Sequence, residues 1–331
     1  MPFKSKAELL TKNQVEKGAD VFVWDSGSKP GLIDPEDILT DFDSECKSIS
    51  IRDFRVLLQT RSSLPTKEIA ISKIVAAAGL TDFNFTSTIV DAFSGETKNP
   101  IFFIYPEVHL DQDKSGSSLI LHESRTKEML SMTLQLLKNK KKIYNAIEGP
   151  KGYWTSSLNS HDLTDIDREK MSTSLVRDHF LSAGSAIAEM FLDTIPTSYV
   201  DEPGMNVRSV VALIAKNIVV EKDFNPQADY FPLVQAWFVK QGAESLIEKY
   251  ELKTYFQMLM SKSATMVTKE ATDLCESRSL KMVENAIIAA NSYQSEIIFL
   301  QTGSLHVHGV VTKLKKLGIG YVVLSPNMSS H

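Results

Sequence analysis

The sequence predicts an α/β fold: a mostly parallel sheet with flanking helices and a large helical insert between its two β/α halves. Two observations carry this. Continuous apolar runs rich in β-formers, IFFIY at 101–105 and IYNAI at 143–147, flank a stretch with helical spacing. That is the signature of strands buried on both faces and joined by a crossover helix. The same alternation returns after residue 272, beyond a long stretch that reads as helix almost throughout. The predicted organisation is an N-terminal elaboration at 1–98, a first β/α half at 99–167, a helical insert or cap at 168–272 and a second β/α half at 273–331.

Within 1–98, VFVW at 21–24 reads as a short strand, SGSKPG as a loop, and 66–78 as an apolar-periodic helix stopped by Gly79. Pro100 and Pro106 bracket IFFIY. At 124–138, Met129, Met132, Leu134, Leu136 and Leu137 follow amphipathic-helix spacing and lead through KNKKK at 138–142 to IYNAI. Those lysines read as a solvated helix end whose charge complements the helix dipole. In the middle region VRSVVALIAKNIVV and VQAWFVKQGAESLIEKY are among the stronger helical stretches, and Pro196, Pro203 and Pro226 break the helical pattern of the region. A helix at 280–291, a strand at 297–302, a helix at 310–317 and a strand at 321–324 complete the pattern.

A chain of 331 residues, 43% hydrophobic, has core enough to fold without staples. Its net charge of −5 with interspersed Lys and Arg provides no basic stripe, which argues against nucleic-acid binding. Cys46 and Cys275 are too few for a CxxC zinc site or a disulfide framework and allow one bridge at most. No apolar run reaches the roughly 18 residues of a transmembrane helix, and the N-terminus lacks the apolar centre of a signal peptide. The expected location is cytoplasmic, or secreted without an N-terminal signal.

In parallel sheets, functional groups gather where strands end and loops lead into helices. PEVHLDQD places Glu107, His109, Asp111 and Asp113 just beyond Tyr105; the second strand ends in Glu148, Gly149 and Pro150; the third ends in TGSLHVHG with His306 and His308. Singly, such residues read as helix caps or exposed loop side chains. Three strand ends sharing one edge point instead to a site. His109, His306, His308 and Glu148 are of the types that ligate zinc, manganese or iron, and metal-bound water attacks carbonyls. Without metal, a histidine oriented by a carboxylate acts as a general base on water. Both routes lead to hydrolysis of a small-molecule or peptide substrate. Tyr105, Tyr153 and Trp154 stand close enough in sequence to contact a cofactor such as haem, the alternative occupant of the same edge.

The order of these motifs resembles the erythromycin esterase, ChaN-like and TraB/TIKI superfamily. The matching residues are Glu107 and His109, Glu148, Arg278 with Met282 and Asn285, and Gly303 with His306, over residues 101–325. The resemblance implies esterase or lactonase activity, metal-dependent peptidase activity or haem binding. It also makes Glu107, His109, Glu148, Arg278 and His306 the expected catalytic residues, with Arg278 as the carboxylate clamp. Pro106 stands where the family carries Gly, and His308 is an addition. That departure and the N-terminal elaboration suggest a third possibility, a secreted bacterial effector built on the same scaffold.

Overall fold

The computed structural model describes residues 64–96, 100–107, 116–150, 152–153, 163–177, 182–220, 224–240 and 243–325. Its strands are β1 (Thr88–Phe93), β2 (Ile101–Glu107), β3 (Ile143–Pro150), β4 (Gly152–Tyr153), β5 (Thr197–Asp201), β6 (Ile297–Gly303) and β7 (Tyr321–Ser325). They form one seven-stranded sheet in the order β1-β7-β2-β6-β3-β5-β4. The five inner strands are parallel, and β1 and β4 run antiparallel along the two edges. All seven residues of β6 are buried, as its apolar sequence between β2 and β3 requires.

Side-chain alternation sends each strand's residues to two separate cores. Phe103, Tyr105, Ile143, Phe299 and Leu324 pack under α1 (Leu64–Ala78), α2 (Gly116–Lys138), α3 (Asp165–Arg177) and α4 (Ala183–Met190). Phe102, Ile104, Tyr144, Leu300 and Val323 pack under the C-terminal half of α9 (Ala264–Ser292) and under α10 (Val307–Lys316). A third core is helical: α5 (Pro203–Val220), α6 (Phe231–Lys240), α7 (Ser245–Lys249), α8 (Leu252–Met260) and the first half of α9. With 29 residues, α9 is about 43 Å long and belongs to both the helical core and the sheet.

The mostly parallel sheet with flanking helices agrees with the α/β expectation. Two strands do not. β5 lies inside the stretch expected to be helical almost throughout, and pairs in parallel with β3. TSYVD is five residues long with prolines close on either side, so the sequence reads there as an interruption between helices. β1 lies inside the expected N-terminal elaboration and pairs with β7 through a bulge between Ile89 and Asp91. VFVW at 21–24 is outside the described residues.

Pro106 does not break β2, which continues to Glu107. Phe102 N–H points to β7 and Ile101 N–H to the β6 side, so by alternation the nitrogen of Pro106 faces β7. The β7 ladder ends at Ile104, and the missing N–H falls where no partner strand needs it. Among the described residues no helix is long and apolar enough to cross a membrane.

Phe299 is fully buried and meets Phe103 and Tyr105 edge-on, with ring centroids 6.2 and 6.0 Å away. Phe299→Ala is expected to lower the unfolding free energy by about 3–5 kcal/mol in a urea titration. A loss below about 1 kcal/mol would show that this layer repacks freely and that β6 is not the centre of the core.

Candidate active site

Glu148 ends the straight part of β3 and is the hub of the strand-end cluster. Its Oε2 accepts hydrogen bonds from Thr302 Oγ1 at 3.1 Å and from the backbone N–H of Gly303. Its Oε1 lies 3.0 Å from Arg278 Nη2 and 3.3 Å from His306 Nε2. Gly149 takes φ +147°, and a Cβ there would stand 2.6 Å from the Tyr199 ring. Glycine therefore lets β3 turn away immediately after presenting its carboxylate.

Arg278 comes from α9. Its Nε and Nη2 donate to Asp201 at the end of β5, and its Nη1 donates to Ser209 Oγ at 3.0 Å. Asp201 is wholly buried and also accepts from Glu202 N and Asn206 Nδ2. Burial works against the charge of Arg278, but Asp201 and Glu148 outweigh it and raise its pKa further above the ordinary value. The spacing Arg278, Met282, Asn285 puts all three on one face of α9: Met282 enters the sheet core and Asn285 Nδ2 donates to Val200 O at 2.8 Å. The three residues thus fix α9 across the ends of β3 and β5.

His306 follows β6 in a single 3-10 turn and is buried. Ser279 gives its hydroxyl proton to Cys275 O at 2.8 Å, so its Oγ accepts from His306 Nδ1, also at 2.8 Å. With Glu148 accepting at Nε2, both ring nitrogens donate and the ring is an imidazolium. Burial opposes that charge. The Glu148 carboxylate, with a hydrogen bond that the ring donates to the Cys275 side chain, overcomes it and lifts the pKa to about 10. Cys275 carries a free thiol 3.7 Å from Nδ1. Gly309 allows this packing, since a Cβ there would stand 2.6 Å from Ser279 Cβ.

Glu107 lies on the opposite face of the sheet. It pairs with Gly303, shares the alternation of Phe103 and Tyr105, and faces α2 and α4. Its Oε1 has no solvent contact and no hydrogen-bond partner. Burial raises its pKa to about 8; Arg125 opposes this, Glu148 adds to it, and a Ser182 hydrogen bond opposes it.

The expected site residues therefore divide. Glu107, Glu148, Arg278 and His306 converge around the end of β6, on two faces of the sheet. His109 and Trp154, with Asp111 and Asp113, lie outside the described residues, and Tyr153 is placed only as backbone of β4, paired to Ser198. Tyr105 corrects its expectation: it is fully buried in the core under α2, its hydroxyl donating to Met132 Sδ at 3.7 Å, because alternation turns it inward. His308 is exposed on α10 while Val307 and Gly309 are buried, so it turns away from His306. Arg278 is no open clamp, since Asp201, Ser209 and Glu148 engage all three of its nitrogens. Sequence reasoning missed Asp201, Ser209, Ser279 and Arg125. A β-rich TSYV before Asp201 was the one usable signal.

A metal does not fit the described members of the expected ligand set. Both Glu148 oxygens are engaged, both His306 nitrogens donate, and His308 faces solvent. Among the described residues no group of three or more His, Cys, Asp or Glu is arranged to hold a metal ion. No protein-family model, curated protein or solved structure matches the chain.

Arg278→Met strips the counter-charge from two buried carboxylates and is expected to cost about 3–5 kcal/mol of stability in chemical denaturation; a near-neutral effect would mean that water replaces the guanidinium. For His306 the folded pKa of about 10 lies above the unfolded value of about 6.5. Its contribution is therefore complete below pH of about 6.5 and is lost as pH rises toward about 10. Comparing Tm against pH for the wild type and His306→Gln checks this, and the variant should lose the alkaline decline.

Proposed function

We propose that the chain is a hydrolase acting on the carbonyl of an ester, lactone or peptide bond, with Glu107 transferring the proton of the attacking water. The observation that carries this reading is the idle oxygen of Glu107. The oxygens of Glu148 and Asp201 and the nitrogens of Arg278 and His306 are all engaged, whereas Glu107 Oε1 is shielded from solvent and unpaired at the end of β2.

In the proposed step the Glu107 carboxylate accepts a proton from water while the water oxygen bonds to the carbonyl carbon and the carbonyl electron pair moves to oxygen. Collapse of the tetrahedral intermediate breaks the bond to the leaving oxygen or nitrogen, which takes the proton back from Glu107. The products are a carboxylic acid and an alcohol or amine. Arg278, Glu148 and His306 are positioning residues here. Glu148 holds the Gly303 N–H, and Gly303 is the residue paired with Glu107. A carboxyl raised to about 8 by burial, with Arg125 of α2 and Ser182 before α4 beside it and the charge of Glu148 acting across the sheet, suits proton transfer near neutral pH. The order of the short motifs at 101–325 points the same way.

A panel of p-nitrophenyl esters and peptide p-nitroanilides tests the reading. Turnover should rise with pH and level off above about 8, and Glu107→Gln should lower kcat/KM by roughly 10²–10⁴-fold while keeping the wild-type circular dichroism. Undiminished turnover in that variant, or none in the wild type across the panel, overturns it.

A further inference from the structure

Between residues 122 and 128, α2 buries an unusual set of polar side chains: His122, Glu123, Arg125, Thr126 and Glu128. Arg125 stands out. It is 4% exposed, and its Nε has no hydrogen-bond partner. Its charged neighbours are Glu107 and Glu128, yet neither closes on it. Glu128 turns Oε2 to the backbone N–H groups of Thr86 and Ser87 and to Thr86 Oγ1, leaving Oε1 unpartnered. Glu107 leaves its own Oε1 idle. A buried guanidinium N–H with no acceptor is costly, because it has given up water and gained no partner.

A second unused donor is on the same face. Gln301 is wholly buried, and its Oε1 accepts from Gly184 N at 2.6 Å and Ser182 Oγ at 3.3 Å. Its Nε2 has no partner. Gln301 pairs with Tyr105, one side-chain step along the strands from the Glu107–Gly303 pair. Two idle donors, one of them cationic, therefore share the face of the sheet edge that holds Glu107.

We infer that this face is a carboxylate-binding subsite, in which Arg125 receives a carboxylate of the ligand and Gln301 Nε2 supplies a further hydrogen bond. A carboxylate fits because its two oxygens match the planar guanidinium fork and accept additional donors. One negative charge is the limit: Glu107 and Glu128 flank Arg125, and a phosphate dianion meets twice the repulsion from them. Of Glu107, Glu128, Arg125 and Gln301 only Glu107 is not fully buried, so in this proposal the ligand enters past it. Resting on the hydrolase reading, the subsite selects acidic substrates, those with a carboxylate near the scissile carbonyl, such as a peptide with a free C-terminus.

Ligand-observed NMR on the full chain with benzoate, and with its neutral isostere benzamide, tests the subsite without using turnover. Benzoate should bind at least tenfold more tightly than benzamide. Arg125→Lys, which keeps the charge and loses the fork, should weaken benzoate at least tenfold, and inorganic phosphate at equal concentration should not displace it. Arg125→Met should abolish binding; if that variant fails to fold, the lysine variant decides. Absent benzoate binding, equal binding of benzamide, wild-type affinity in Arg125→Lys, or displacement by phosphate overturns the inference. Arg125-dependent benzoate binding with no hydrolysis in the ester and anilide panel retires the hydrolase reading alone. Hydrolysis with no preference for benzoate over benzamide retires the subsite alone.

Discussion

The contact on which the strand-end architecture depends is the one Arg278 makes with Glu148 and Asp201. A single guanidinium from α9 holds carboxylates at the ends of β3 and β5, and one of them in turn holds the last N–H of β6. Ion pairs this buried return little net stability, because desolvation offsets their attraction. Their effect is geometric. With two anions sharing one cation and the His306 imidazolium, any slip of β3, β5 or α9 leaves a charge buried and alone. The helix and both strands are therefore confined to one register.

That anchor also explains why the cluster is divided. Glu148 and Thr302 face α9, whereas Glu107 and Gln301 face α2, with Gly303 between them. Carboxylates that share an edge in sequence thus meet different surroundings. On one face the charges are matched and the donors filled. On the other, two carboxyl oxygens, an amide nitrogen and a guanidinium nitrogen lack partners. In the proposed reading, the saturated face supplies rigidity and the unsaturated face supplies chemistry.

The parts of this that were legible in the sequence are those where burial on both faces leaves a continuous apolar run. β2, β3, β6 and β7 announce themselves that way, and so does the edge at which Glu107, Glu148 and His306 gather. β1 and β5 do not: each is a short segment, and the prolines around TSYVD resemble interruptions of a helix. The face a residue takes was also hidden, because it depends on how neighbouring strands are registered. Tyr105 was expected near a cofactor for that reason, and Arg278, readable as a clamp or as an ion-pair partner of Glu148 or Glu107, hid its bond to Asp201 because Asp201 belongs to an unrecognised strand. Arg125 gave no signal, since an arginine within an amphipathic helix ordinarily reads as solvent-facing.

The two edge strands bear on how the chain behaves at high concentration. A parallel sheet left bare at its margins invites a neighbouring molecule to add a strand of its own. Here one margin is β1, kinked by its bulge and pinned by Asp91, which accepts from Tyr321 and lies 3.4 Å from Lys315. The other is β4, two residues long. Both run antiparallel to the strand beside them. Among the described residues a foreign chain meets a bent ladder on one side and a very short one on the other, and both disfavour the addition of a strand.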